Sequence, residues 1–299
     1  MHWIAASLIA AFFLGCYDLF TKASVRENAV LPALLFANVC SATVWLALML
    51  VQSARPDALP QILLIEHSLT AHQHLQLFTK SAIVAASWVC SYFAVKHLPV
   101  SIAAPIRATS PVWTLLGALI VLAERPTLLQ ILGVLTTIAA FFGLSLASRR
   151  EGINFSKNRW IWWLIAGTLL GAVSGLYDKF LLGTLHFKAS TVQAWFSIYL
   201  VAIFLPLALA WKLRLWQRNE FYWRWSIPLM AFALLAADFV YFDALRNPDA
   251  LVSLVMSLRR GSTLIAFAGG ILFFREANAR QKLPAVLGVL AGIVLTIMG

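Results

Sequence analysis

Long apolar runs, each of a length that crosses a bilayer, leave this chain few ways to fold. They extend approximately over 3–23, 30–51, 81–95, 100–122, 128–147, 160–182, 191–211, 225–245, 251–274 and 282–298. A run of about 17–25 apolar residues suits one transmembrane helix, and only helices and closed barrels satisfy backbone polar groups in hydrocarbon. A barrel needs alternation with period two, and these runs are unbroken. The expected fold is therefore all-α and polytopic, with ten transmembrane helices, of which the third run is the shortest. With 61% hydrophobic and 12% charged residues and a mean hydropathy of +0.83, a soluble fold would lack polar surface to show to water.

The formal charge of +11 does not imply nucleic acid, because most of the basic residues sit in short loops between apolar runs. It reads as a topology signal and as contact with anionic lipid. Cys16, Cys40 and Cys90 all fall within spans and form no CxxC, so neither a disulfide framework nor a zinc site is indicated. The first run lacks a basic start and a small-x-small cleavage site, so it is expected to be a retained helix. His67, His72 and His74 lie in the loop 60–78, which reads as an interfacial amphipathic helix with wetted histidines in preference to a metal site. No cofactor is expected.

One motif occurs twice. Gly15-Cys16-Tyr17-Asp18 returns 160 residues later as Gly175-Leu176-Tyr177-Asp178. Steps of four upstream give Ser7, Ala11, Gly15 in one copy and Gly167, Gly171, Gly175 in the other, a small-residue stripe that lets helices approach closely in lipid. Each aspartate falls about on that face, so both are expected to point into a helix bundle. Arg107, Ser110, Gly117 and Glu124 recur at an offset of 152 as Arg259, Ser262, Gly269 and Glu276, and Gly133-Val134-Leu135 recurs as Gly288-Val289-Leu290. Internal repetition of this kind marks a duplicated unit. The expected division is a five-helix repeat over 1–148, a linker loop over 149–159 and a second five-helix repeat over 160–299. An odd number of spans per repeat inserts the second upside down, the inverted-repeat plan of secondary transporters.

The 5+5 layout and the segment Ser101-Ile-Ala-Ala-Pro-Ile-Arg-Ala-Thr-Ser-Pro-Val-Trp-Thr-Leu-Leu-Gly-Ala-Leu-Ile-Val-Leu-Ala-Glu124-Arg-Pro, followed by Gly133, resemble the drug/metabolite transporter superfamily, with two EamA-type repeats covering essentially the whole chain. The proline-led fourth span ending in glutamate carries the resemblance, and its second copy ends Phe273-Phe274-Arg275-Glu276. The resemblance implies transport of solutes as different as amino acids, sugars, nucleotide sugars and drugs. The Gly-x-Tyr-Asp motif and the buried arginines depart from the commoner EamA pattern. Lys and Arg gather on the odd-numbered loops, which by the positive-inside rule places both termini outside the cytoplasm. The family's usual arrangement, as the resemblance implies it, has both termini inside.

An intramembrane aspartate is costly and so a functional candidate. Asp18 with Arg107 near one face, and Asp178 with Arg259 near the other, read as two ion-pair gates that open alternately. The structural reading pairs Asp18 with Lys22 at i+4, which fails for Asp178, where that position is Leu182. A carboxylate could instead carry a coupling proton. Arg107, Arg259 and Arg260 could instead hold an anionic group, with Asp238 and Asp243 compensating part of their charge. Tyr17, Tyr177, Trp88, Tyr92, Trp113 and Tyr241 are candidate cavity aromatics, each more often packing than ligand. Gly288-x-x-x-Gly292 reads as helix packing or a homodimer seam, and Glu124 and Glu276 as helix-end acids that pair with loop arginines or cap.

The functional expectation is a secondary-active transporter of a small polar or amphipathic metabolite, an amino acid or similar solute, in a bacterial inner membrane. Its partners would be that solute, the bilayer, and a proton or counter-solute, since no Walker loop offers ATP binding. A flippase for an anionic or lipid-linked substrate is the alternative. An intramembrane enzyme is a third, against which stands the absence of HExxH, GxSxG or a paired nucleophile and base.

Overall fold

The computed structural model describes residues 2–98, 106–107, 109–146, 158–213, 215, 220–262, 265 and 279–298. Among them are ten α-helices and no strand: α1 (His2–Val25), α2 (Val30–Ala54), α3 (Ala71–His97), α4 (Ser110–Val121), α5 (Leu128–Leu146), α6 (Arg159–Lys179), α7 (Ala189–Lys212), α8 (Ser226–Arg246), α9 (Val252–Arg259) and α10 (Ala279–Met298). A wide π turn, Phe180–Thr184, extends α6. Six helices, α1, α2, α3, α6, α7 and α8, are long and apolar enough to cross a membrane, and α4, α5 and α10 contain shorter apolar segments. The described residues are all-helical, as in an all-α membrane protein.

The third helix departs most from the hydropathy reading. It begins at Ala71 instead of 81, because Thr70 and Gln73 form a capping box: the Thr70 side chain accepts from the Gln73 amide while the Gln73 side chain accepts from the Thr70 amide. The segment read as an interfacial helix is thus two short 3₁₀ turns, Pro56–Ala58 and Gln61–Leu63, running into the first turns of α3. His74 is held there, its Nδ1 2.7 Å from the Tyr199 hydroxyl. Among the described residues no three His, Cys, Asp or Glu side chains converge on a metal-sized site.

Helix pairing follows a pattern. α1 packs along α8 as α3 packs along α6; α4 meets α6 as α9 meets α1; α3 meets α7 as α8 meets α2; α5 pairs with α10, α2 with α7 and α4 with α9. Exchanging α1–α5 for α6–α10 in order maps these contacts onto themselves. Contacts along α5 and α10 fix their relative direction: Gly133 lies against Thr296, Thr137 against Gly292 and Ala140 against Gly288. Ascending one helix descends the other, so the two are antiparallel. α2 and α7 agree, with Leu34 clustering with Phe204 and Trp45 with Ala194.

In lipid, apolar burial drives little association, and close van der Waals packing between small residues takes its place. The glycines show where. A Cβ on Gly133 would come within 2.6 Å of the Thr296 amide nitrogen, and one on Gly288 within 2.7 Å of Ala140 Cβ. The Gly288-x-x-x-Gly292 stripe is therefore occupied by α5 of the same chain. The motif glycines also separate: Gly15 abuts the Ser262 carbonyl, and Gly167 lies against Ser87 and Ser91 of α3. Gly171 meets only Ser87 Oγ, at 3.5 Å, so the middle of that stripe faces open space.

Candidate functional site

That space is a cavity of about 200 Å³ between α1 and α3 on one side and α6, α7, α8 and α9 on the other. Both halves of the chain build its wall. Leu14 and Tyr17 come from α1, Lys80 and Trp88 from α3, and Asp178, Asp238, Tyr241 and Arg259 from the second half.

Its most enclosed charge is an ion pair that hydropathy hid. Lys80 Nζ lies 2.6 Å from Asp178 Oδ1, both side chains being almost wholly buried. Lys80 also donates to Ser174 Oγ at 2.6 Å and sits 5.3 and 5.7 Å from the ring centroids of Phe196 and Phe242. The Tyr241 hydroxyl donates to Asp178 Oδ2 at 3.3 Å. The partner expected for Asp178 was Arg259. Instead Arg259 Nη2 binds Asp238 Oδ1 at 2.8 Å, and its guanidinium carbon lies 3.9 Å from the Tyr241 ring centroid. Tyr241 therefore joins both pairs, hydroxyl to one and ring face to the other. Lys80 is ten residues past the Thr70 cap, about 15 Å along the helix, and a ten-residue lead from a capping box is the signal that could have moved it from loop to span.

The first copy of the motif is built differently. Asp18 is exposed, as is Arg107, whereas Arg260 is half-buried. Arg107, Arg260 and Arg259 lie near enough for their charges to act on the Asp18 carboxylate. The side chain of Lys22, its i+4 neighbour, lies outside the described residues. Tyr17 and Tyr92 share a hydroxyl contact of 3.1 Å, which links the cavity wall to the Asp18 cluster. Trp88 stacks on Phe204 at 6.1 Å while also lining the cavity. Two expected aromatics are elsewhere. Trp113 is 41% exposed with its indole donating to Thr109 Oγ1, and Tyr177 donates to the Gln76 carbonyl at 3.3 Å, tying α6 to α3. Asp243 pairs with Arg246 at the surface.

Glu124 is a cap, without an arginine. Buried against the start of α9, it accepts from the Val252 amide at 2.6 Å and from Ser253 Oγ at 2.8 Å. An acid at a helix N-terminus satisfies orphan amides and meets the positive end of the dipole. Lys179 does the converse, donating to the carbonyls of Leu245 in the last turn of α8 and of Asn247 and Ala250 just beyond it. Glu124→Ala should lower the stability of purified protein by about 1–2 kcal/mol, and Glu124→Gln by less. An unchanged midpoint in Glu124→Ala would show that α9 needs no cap. Glu276 lies outside the described residues.

Residues 1–146 match the EamA-like transporter family. The amino-terminal half is EamA-like. The match does not extend over 147–299, but a solved crystal structure of another protein superposes on both halves, with a TM-score of 0.72 at 14% identity, covering 98% of this chain and 96% of that one. At that identity the likeness is one of fold alone. No curated protein matches the chain. The family match points to a membrane transporter of the drug/metabolite type, a class of transporters and not of enzymes.

Proposed function

We infer that the chain is a secondary-active transporter that moves a small polar or amphipathic metabolite by alternating access, across a bacterial inner membrane as the composition implies. Ten spans would form two inverted five-helix repeats, 1–148 and 160–299. The exchange symmetry of the helix contacts and the antiparallel course of α5 against α10 and of α2 against α7 support that plan.

The observation that carries the reading is a charged, aromatic-walled cavity shared by both halves. Towards Lys80 and Asp178 the ion pair is buried and packed. Asp18 and Arg107 do not line the cavity. The buried Lys80–Asp178 pair, which helps fasten α3 to α6, reads as the closed gate of one state in an alternating cycle. The gate on that side is then Lys80 with Asp178, and Arg259 with Asp238 belongs to the cavity wall.

Cysteine accessibility tests this. Gly171→Cys, in protein whose Cys16, Cys40 and Cys90 are replaced by serine, places a thiol at the one motif glycine with room for it. Alternating access requires that an impermeant thiol reagent reach it from either membrane face, and that reaction from one face block reaction from the other. Reaction from a single face under all conditions would remove the mechanism. Asp18→Asn should impair solute movement in reconstituted vesicles while leaving folding intact, because an exposed acid carries little stability. Full activity would assign Asp18 a structural role.

A further inference from the structure

We propose that the cavity binds its substrate through an oxyanion, a carboxylate or a phosphate, which takes the place of Asp178 on Lys80. This rests on the transport reading and names the substrate class of the same cavity.

The argument begins with what each charged group keeps when its partner leaves. The charged groups lining the cavity are Lys80, Asp178, Asp238 and Arg259, two cations each paired with an acid. Both cations have a second support. Lys80 faces the rings of Phe196 and Phe242 and donates to Ser174, and Arg259 stacks on Tyr241. Such cation–π contacts persist whatever anion sits alongside. Among the described residues Asp178 has, besides Lys80, only the Tyr241 hydroxyl at 3.3 Å as a directed partner. The cations are thus fixed features of the wall, and the exchangeable partner is the carboxylate. A cationic substrate would have to displace Lys80 from two rings and a serine at once.

Charge around Asp18 favours the same sign. Arg107, Arg259 and Arg260 act on the single carboxylate of Asp18, and Asp238 pairs with one of the three. A cleft with surplus positive charge raises the local concentration of anions. The volume, about 200 Å³, suits a small molecule. Leu14, Val84 and Trp88 supply an apolar wall for the body of such a molecule. Exchange on Lys80 has a mechanical consequence, because the Lys80–Asp178 bond joins α3 to α6. Arrival of the anion removes the charged tie between α3 and α6, which leaves the Tyr177–Gln76 and Ser87–Gly167 bonds to hold them, so binding weakens that closure.

The test is the thermal unfolding midpoint of the purified full chain in detergent, with isovalerate, isovaleramide, isopentylamine and inorganic phosphate as probes. A ligand of the native state raises the midpoint. Isovalerate should raise it, and its neutral and cationic counterparts should not. Asp178→Asn removes the internal competitor, so isovalerate should bind about ten-fold tighter if Asp178 occupies Lys80 for all but about a tenth of the time. Lys80→Gln should abolish the shift. The same pattern with phosphate in place of isovalerate assigns a phosphate group. The proposal is overturned if the amide or amine stabilises as well as the carboxylate, if neither anion does, or if Asp178→Asn weakens the anion effect. The comparison of probes on unaltered protein decides the point even where a variant does not fold. Selective binding of the amide would leave alternating access standing, and single-face reactivity of Gly171→Cys would end alternating access while leaving anion binding intact.

Discussion

Lys80→Met is expected to abolish solute movement in reconstituted vesicles and to cost about 3–5 kcal/mol of stability, the range for breaking a buried pair by removing one partner. The cost comes from Asp178, whose carboxylate is left almost wholly buried with the Tyr241 hydroxyl at 3.3 Å as its remaining directed partner. It does not measure the worth of the pair itself. A second substitution separates the two quantities. Lys80→Met combined with Asp178→Leu removes both charges, and replacing a buried pair by apolar groups is often neutral. The double variant should therefore regain most of the stability and none of the transport. Thermal midpoints and vesicle assays on the three proteins decide the matter. If the double variant transports, the pair is a structural bolt and the gate lies elsewhere.

Gly292→Val is the second large effect, and its origin is steric. A Cβ on Gly292 would collide with Thr137 Oγ1 and come within 2.7 Å of the Gly133 carbonyl oxygen and 2.8 Å of the Thr137 amide nitrogen. Two of these atoms are backbone, which cannot rotate aside, so α5 and α10 must part. Overpacking of this kind costs about 1–3 kcal/mol where side chains can yield, and this site is expected at or above the top of that range. Thr137→Ala removes one of the three obstacles and should rescue only in part. Gly171→Ala is the control: it belongs to the same sequence pattern of small residues, but it faces the cavity, and it should leave the midpoint unchanged. A midpoint for Gly292→Val equal to that of the unaltered protein would mean that the two helices are not in backbone contact.

The two copies of the Gly-x-Tyr-Asp motif show how much a sequence pattern conveys about a site. Spacing alone placed Asp18 and Asp178 in helices beside glycines at helix contacts, and the fold buries Asp178. It could not assign their partners, because a partner is a matter of three-dimensional distance. The symmetric reading matched Asp178 with Arg259. The fold gives Asp178 to Lys80, 98 residues upstream, and Arg259 to Asp238. Hydropathy hides Lys80, because the apolar run starts only at the next residue, although the capping box at Thr70 implies a helix through it. Trp113 and Tyr177 are cavity candidates by residue type alone, and residue type does not say which way a helix face turns.

By itself the sequence determined the all-helical membrane class, the approximate extent of the helices and the presence of repeated segments. These follow from hydropathy, backbone hydrogen bonding in lipid and internal repetition, all of which are local or pairwise along the chain. Only the tertiary structure decided which small residues pack and which open onto a cavity, and which cation meets which acid. Those outcomes depend on how helices rotate and slide against each other, and side chains far apart in the chain settle that together.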